Sequence, residues 1–139
     1  MNKKLWTQLL IASTECNDPL EEQGGLILNK DDEYTFVLIR NVHEGSQTAI
    51  GLYETDKQEL KEKVFSRIPE GWKMYGSFHT HPCFSATPSV TDMTYLFQGF
   101  ENNYVYSPKQ KTFSATTWEG DTSTTTFMPI NQIKELLQQ

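Results

Sequence analysis

Apolar residues recur along this chain in two rhythms, one of helical period and one of strand period, and the switches between them outline the elements. Leu5, Trp6, Leu9 and Leu10, with Ala12 and Ser13, fall on one stripe of an amphipathic first helix. Asn17, Asp18 and Pro19 break it, and residues 24–28 (Gly-Gly-Leu-Ile-Leu) then read as a short buried strand closed by the turn residues 29–32. Residues 34–42 form the second arm of a hairpin; Phe36, Val37, Leu38 and Ile39 are apolar on both faces at its centre, which predicts an interior strand. His43 falls in a loop. Thr55 with Gln58 resembles a capping box, and Leu60, Val64 and Ile68 recur at helical spacing until Pro69 and Gly71, predicting a second helix.

Residues 73–79 read as a further strand, followed by a loop rich in Pro and Ser over 82–88. A third helix is expected to begin near Ser89, with Met93, Leu96 and Phe97 facing inward and Gly99 at its end. Three short strands, 103–106, 112–118 and 122–127, are joined by Ser-Pro and Gly-Asp turns, and a last helix spans 131–137. The result is a mixed α+β domain. No internal repeat and no shift of composition marks a linker, so residues 1–139 are expected to form a single domain.

Composition narrows the function. With 139 residues, 37% hydrophobic and 22% charged, the chain can bury one real core and is neither a coiled coil nor a low-complexity protein. Lys and Arg number 12 against 18 Asp and Glu, a net charge of −6, and no basic stripe is present to neutralise a run of phosphates. A general nucleic-acid binder is therefore not expected. No apolar run is long enough to span a bilayer. Residues 1–12 superficially resemble a signal peptide, but Thr7 and Gln8 interrupt the apolar segment and Glu15 is badly placed for cleavage, so a helix of the mature fold is expected instead. Two cysteines, Cys16 and Cys83, without Cys-x-x-Cys spacing, suit a reducing compartment, and a cytoplasmic location is expected.

The chemistry is concentrated in residues 76–92. Side chains two apart at a strand end point to one side, so the imidazoles of His79 and His81 can converge. The loop that follows can return the start of the third helix to the same point, where Asp92 in the first turn offers an oxygen as a third ligand. Two imidazoles and a carboxylate suit zinc, and three protein ligands leave a fourth position for water, as in catalytic rather than structural sites. Each half alone has an ordinary explanation: a His-x-His pair is commonly a hydrogen-bonded strand end, and Ser89-x-x-Asp92 is economically a helix cap.

Taken together, His79-x-His81, seven further residues, then Ser89-x-x-Asp92, resemble the JAMM motif of the JAB/MPN metalloprotease family. Glu22-Gln-Gly-Gly25-Leu-Ile-Leu28 is similar to the family's pattern of a glutamate three residues before a glycine at the first core strand. Glu21 is the competitor, but it misses that spacing. Asn29 stands where many members have glycine, which bears only on the turn. The resemblance implies an MPN/JAB-like (cytidine deaminase-like) mixed sheet flanked by helices and a zinc ion held by His79, His81 and Asp92. It also implies Glu22 as general base and Ser89 as donor to the developing oxyanion. The activity implied is hydrolysis of an amide, foremost after the C-terminal glycine of a ubiquitin-like modifier, with that modifier or its conjugates and associated E1- or E2-like enzymes as partners.

Two other functions remain compatible: a metalloamidase of the same fold acting on a peptide or small molecule, and a non-catalytic MPN scaffold, although scaffolds usually lack motif residues that are present here. A thiol mechanism through Cys83 is disfavoured, because both nearby histidines are better used on metal. Trp72, Tyr75 and Phe84 stand where aromatic side chains would wall a cleft, core packing being the ordinary alternative.

Overall fold

The computed structural model describes residues 1–39, 70–90, 92, 93 and 100–139. The chain starts with helix α1 (Lys3–Glu15), continues through strands β1 (Gly24–Lys30), β2 (Glu33–Ile39), β3 (Lys73–Thr80), β4 (Asn102–Ser107), β5 (Thr112–Glu119) and β6 (Thr122–Pro129), and ends in helix α2 (Ile130–Leu137). The strands form one sheet in the order β2-β1-β3-β4-β5-β6. Every neighbouring pair is antiparallel except β3 and β4, which run parallel. This is the α+β, JAB-like arrangement expected. The expected second helix, the His43 loop and the body of the third helix lie outside the described residues.

Helix α1 forms where the sequence places it because Asn2 caps it, its Oδ1 accepting from the N–H of Leu5 at 3.0 Å. Its buried stripe is Leu5, Trp6, Leu9 and Ala12. Trp6 meets Tyr104 and Phe113 edge to face at ring distances of 5.8 and 5.5 Å, and Ile27, Phe78, Tyr106 and Ile133 complete the same core. Burying each such side chain contributes about 1.5–3 kcal/mol, so this face anchors the sheet. A smaller cluster of Leu26, Leu28 and Ile39, with Trp72 and Phe100 against it, lies apart from this main core.

One expectation is corrected here. Residues 34–42 were expected to form an interior strand, yet among the described residues β2 is the outermost strand, paired with β1 alone. Its apolar centre is covered on both faces without a second strand: α1 packs on it and Gln8 Oε1 accepts the N–H of Phe36 at 3.2 Å, while Val37 and Ile39 pack in the smaller cluster. Leu38 is left 41% exposed.

Strands β1 and β3 change register between Ile27 and Leu28: Ile27 faces Gly76 but Leu28 faces Met74, leaving Tyr75 over. This extra residue puts Tyr75 on the main-core side, where its ring stands 5.1 Å from that of Tyr34. Tyr75 therefore takes the ordinary alternative and packs against the main core, and Trp72 likewise packs against the smaller cluster.

Because β3 and β4 are parallel, the chain must cross over between them, and it does so through residues 81–101. The crossover leaves from the carboxyl end of β3. That is where the motif residues stand.

Candidate metal centre

Three segments meet at the end of β3. Glu22 arrives just before β1, His79 ends the part of β3 paired with β1, His81 follows the strand, and Asp92 comes from the crossover. The pairing of Gly24 with His79 holds the first two segments together. Only glycine fits at that pairing: a Cβ on Gly24 would stand 2.1 Å from the Phe78 carbonyl oxygen. Beyond the ladder, Thr80 N–H donates to the Gln23 carbonyl at 2.8 Å, and Gln23 N–H donates to Thr80 Oγ1 at 3.0 Å. On the other side, His81 N–H donates to the Tyr106 carbonyl at 2.9 Å, so the second histidine is held by backbone although it lies past the strand.

The side chains converge. The two Nε2 atoms stand 3.2 Å apart, Asp92 Oδ1 lies 3.0 Å from His79 Nε2, and Asp92 Oδ2 lies 3.0 Å from His81 Nε2. Glu22 Oε1 is 3.7 Å from both imidazole nitrogens. All four residues are buried, and their potential ligand atoms lie within 4.8 Å of one another. Spacing had placed His79, His81 and Asp92 together, and the family pattern had added Glu22; the structure brings all four to one point.

Burial and close contact set the charges of this group. Burial pushes the Glu22 carboxyl up to about 8, against the opposing field of His81 and with a further push from Asp92. Burial works the other way on His81, but its hydrogen bond to Asp92, with the charges around it, raises its pKa. Asp92, despite burial, is held well below the usual carboxylate range by His79 and His81. Two buried carboxyl groups facing two imidazole nitrogens form a donor set of nitrogen and oxygen that fits a divalent transition metal. His81 Nδ1 lies 2.9 Å from the Ser85 carbonyl, which holds a proton on Nδ1, so that Nε2, on giving up its proton to the Asp92 side, would offer its lone pair to an ion in the cluster.

Ser89 stands beside this group on the exposed surface, not inside it. Its N–H donates to Asp92 Oδ2 at 2.9 Å, its Oγ accepts from the N–H of Asp92 at 3.0 Å, and the N–H of Met93 donates to the Ser89 carbonyl at 3.0 Å. This is the capping arrangement, and it also aims the Asp92 carboxylate. Cys83 is partly buried, with Sγ 3.8 Å from the Pro19 carbonyl, and Phe84 is 45% exposed. Sequence reasoning missed the Ser85 carbonyl as the group orienting His81, because a backbone acceptor carries no residue-type signal.

The fold and the buried Glu-His-His-Asp group together define a JAB-type domain with a possible metal centre. The family profile described as prokaryotic homologs of the JAB domain matches residues 4–120, and the chain belongs to that family. No curated protein matches the sequence. Among solved structures, the chain is similar to the solution structure of a protein from Desulfitobacterium hafniense. The two are 20% identical, the match covers 89% of this chain and 86% of that one, and the TM-score is 0.62, which speaks to the fold alone. No helix among the described residues is long and apolar enough to cross a membrane.

Proposed function

We propose that this chain is a zinc-dependent amide hydrolase of the JAMM type that cuts after the C-terminal glycine of a ubiquitin-like modifier, in a conjugate or a precursor. The observation that carries the reading is the convergence of Glu22, His79, His81 and Asp92, all buried, within 4.8 Å. His79, His81 and Asp92 would hold the ion, and Glu22, farther from both imidazoles, is left for proton transfer. When bound, zinc supplies a Lewis acid that activates water at neutral pH.

The residues of the chain do the rest. Glu22 takes a proton as the water oxygen bonds to the amide carbon, and returns it to nitrogen as the C–N bond breaks, giving a carboxylate and an amine. A carboxyl whose proton affinity is raised by burial suits both transfers. The Ser85 carbonyl keeps the His81 ring oriented throughout. The Ser89 hydroxyl, whose oxygen accepts from Asp92, still has a proton to donate to the amide oxygen as charge develops there. A glycine before the cut allows the close backbone approach such an attack needs.

The test pairs metal analysis with mass spectrometry. Wild type should carry about one zinc per chain and His81→Ala almost none; equal content would remove the site. A modifier fusion should be cut at its glycine by wild type, and neither by Glu22→Gln nor in the presence of chelator. Cleavage of small amides alone would shift the reading to the metalloamidase.

A further inference from the structure

Each of the three segments that form the metal centre also holds a large apolar side chain in solvent. Leu20, two residues before Glu22, is 61% exposed; Phe84, three after His81, is 45% exposed; Val90, two before Asp92, is 84% exposed. Single exposed apolar residues are ordinary on any surface. Here their backbones are tied down. Leu20 N–H donates to Asp18 Oδ1 at 2.8 Å, Phe84 N–H donates to the His81 carbonyl at 3.4 Å, the Phe84 carbonyl accepts from Ser107 Oγ, and Val90 lies inside the Ser89–Asp92 cap. The turns carrying Leu20 and Phe84 also touch, through Cys83 Sγ and the Pro19 carbonyl at 3.8 Å. The display is built into the same turns that position the ligands.

We infer that Leu20, Phe84 and Val90 form an apolar rim that selects extended polypeptide substrates with apolar side chains within a few residues of the amide to be cut. The inference rests on the hydrolase reading for its site. The cluster itself is buried, so an amide reaching Glu22 enters where these three segments meet solvent, and its neighbours along the chain lie against the rim. Apolar neighbours gain by leaving water there, whereas charged ones lose hydration against Leu, Phe and Val with nothing in return. A small polar amide would leave the rim unused.

The test measures binding without turnover. Two peptides of equal length share a central glycine amide; one carries Leu and Val around it, the other Ser and Gln. Fluorescence anisotropy with zinc-loaded Glu22→Gln protein should show the apolar peptide binding about tenfold or more tighter. Leu20→Ser, Phe84→Ser and Val90→Ser, each added to that protein, should lower the preference several-fold, and the triple variant should abolish it. Thermal melts check the fold, which exposed side chains should hardly affect. Equal binding of the two peptides, or a preference that survives the triple variant, overturns the rim. Wild-type cleavage and zinc content are read separately: preference without cleavage sinks the hydrolase and keeps the rim, and equal cleavage of both peptides does the reverse.

Discussion

Ser89 and Asp92 exchange two hydrogen bonds, N–H to Oδ2 at 2.9 Å and Oγ from N–H at 3.0 Å, while the same carboxylate faces both imidazoles. One side chain thus serves the helix cap and the buried cluster. Ser89→Ala should cost about 1 kcal/mol of stability through the lost cap, and Ser89→Thr should recover most of it. If Ser89 also donates to the oxyanion, the alanine variant should lose about 100- to 1000-fold in turnover. Calorimetry with steady-state kinetics on both variants separates the two roles; an alanine variant that is destabilised but fully active leaves only the cap.

Glu22 gives a pH prediction for the metal-free protein. Its carboxyl is raised from 4.5 to about 8 in the folded state, so between those values the folded chain holds a proton that the unfolded chain has released. Stability from this group is full below about 4.5 and is lost as pH rises through about 8. His81, also raised, acts in the same direction above its ordinary value of 6.5. Urea unfolding in chelator should show wild type weakening from pH 5 to pH 8.5 more steeply than Glu22→Gln. Parallel slopes would contradict the burial of that carboxyl. Glu21→Gln should remain active where Glu22→Gln is dead.

Gly24→Ala introduces a Cβ that would stand 2.1 Å from the Phe78 carbonyl oxygen and 2.8 Å from His79 Cβ. The strands must part at the point where Glu22 and the first histidine are held together. Overpacking of this kind costs about 1–3 kcal/mol, and both zinc content and activity should fall with it. Retained metal at wild-type stoichiometry would show that the β1–β3 ladder does not set the site.

The two thiols should behave differently. Cys16 is buried and its thiol is pushed up to about 12 by burial first and the charge of Glu15 second, whereas Cys83 is only partly buried. Native protein should take up alkylating reagent at Cys83 alone, Cys16 reacting on unfolding, as peptide mass mapping can show. Cys83→Ser should still hydrolyse substrate. Loss of activity in that variant would revive a thiol mechanism.

How far the sequence carried this picture depended on whether a feature is written in side chains. His79, His81 and Asp92 could be placed together from spacing alone, because strand period and a returning helix are local rules. Glu22 needed the family pattern, since the pairing of Gly24 with His79 that delivers it is non-local. The outer position of β2 was misread because double-faced apolarity signals burial without saying whether a neighbouring strand supplies it or, as here, helix α1 with the smaller cluster. For Tyr75 core packing was the ordinary reading and it holds, but the leftover residue that decides which side of the sheet the ring faces is not announced by residue type.

That leftover residue does more than turn one ring inward. From Gly76 to His79 the ladder against β1 runs unbroken, Ile27 to Gly24, and the parallel ladder to β4 starts at Gly76 as well. Upstream of Tyr75 the strand follows a different phase. The irregularity works as a slip joint: a change of length in the chain entering β3 can be absorbed there, while the alignment that sets His79 opposite Gly24 stays locked. Insertions ahead of residue 75 should therefore be tolerated by this centre, and a single-residue insertion between residues 76 and 79 should not.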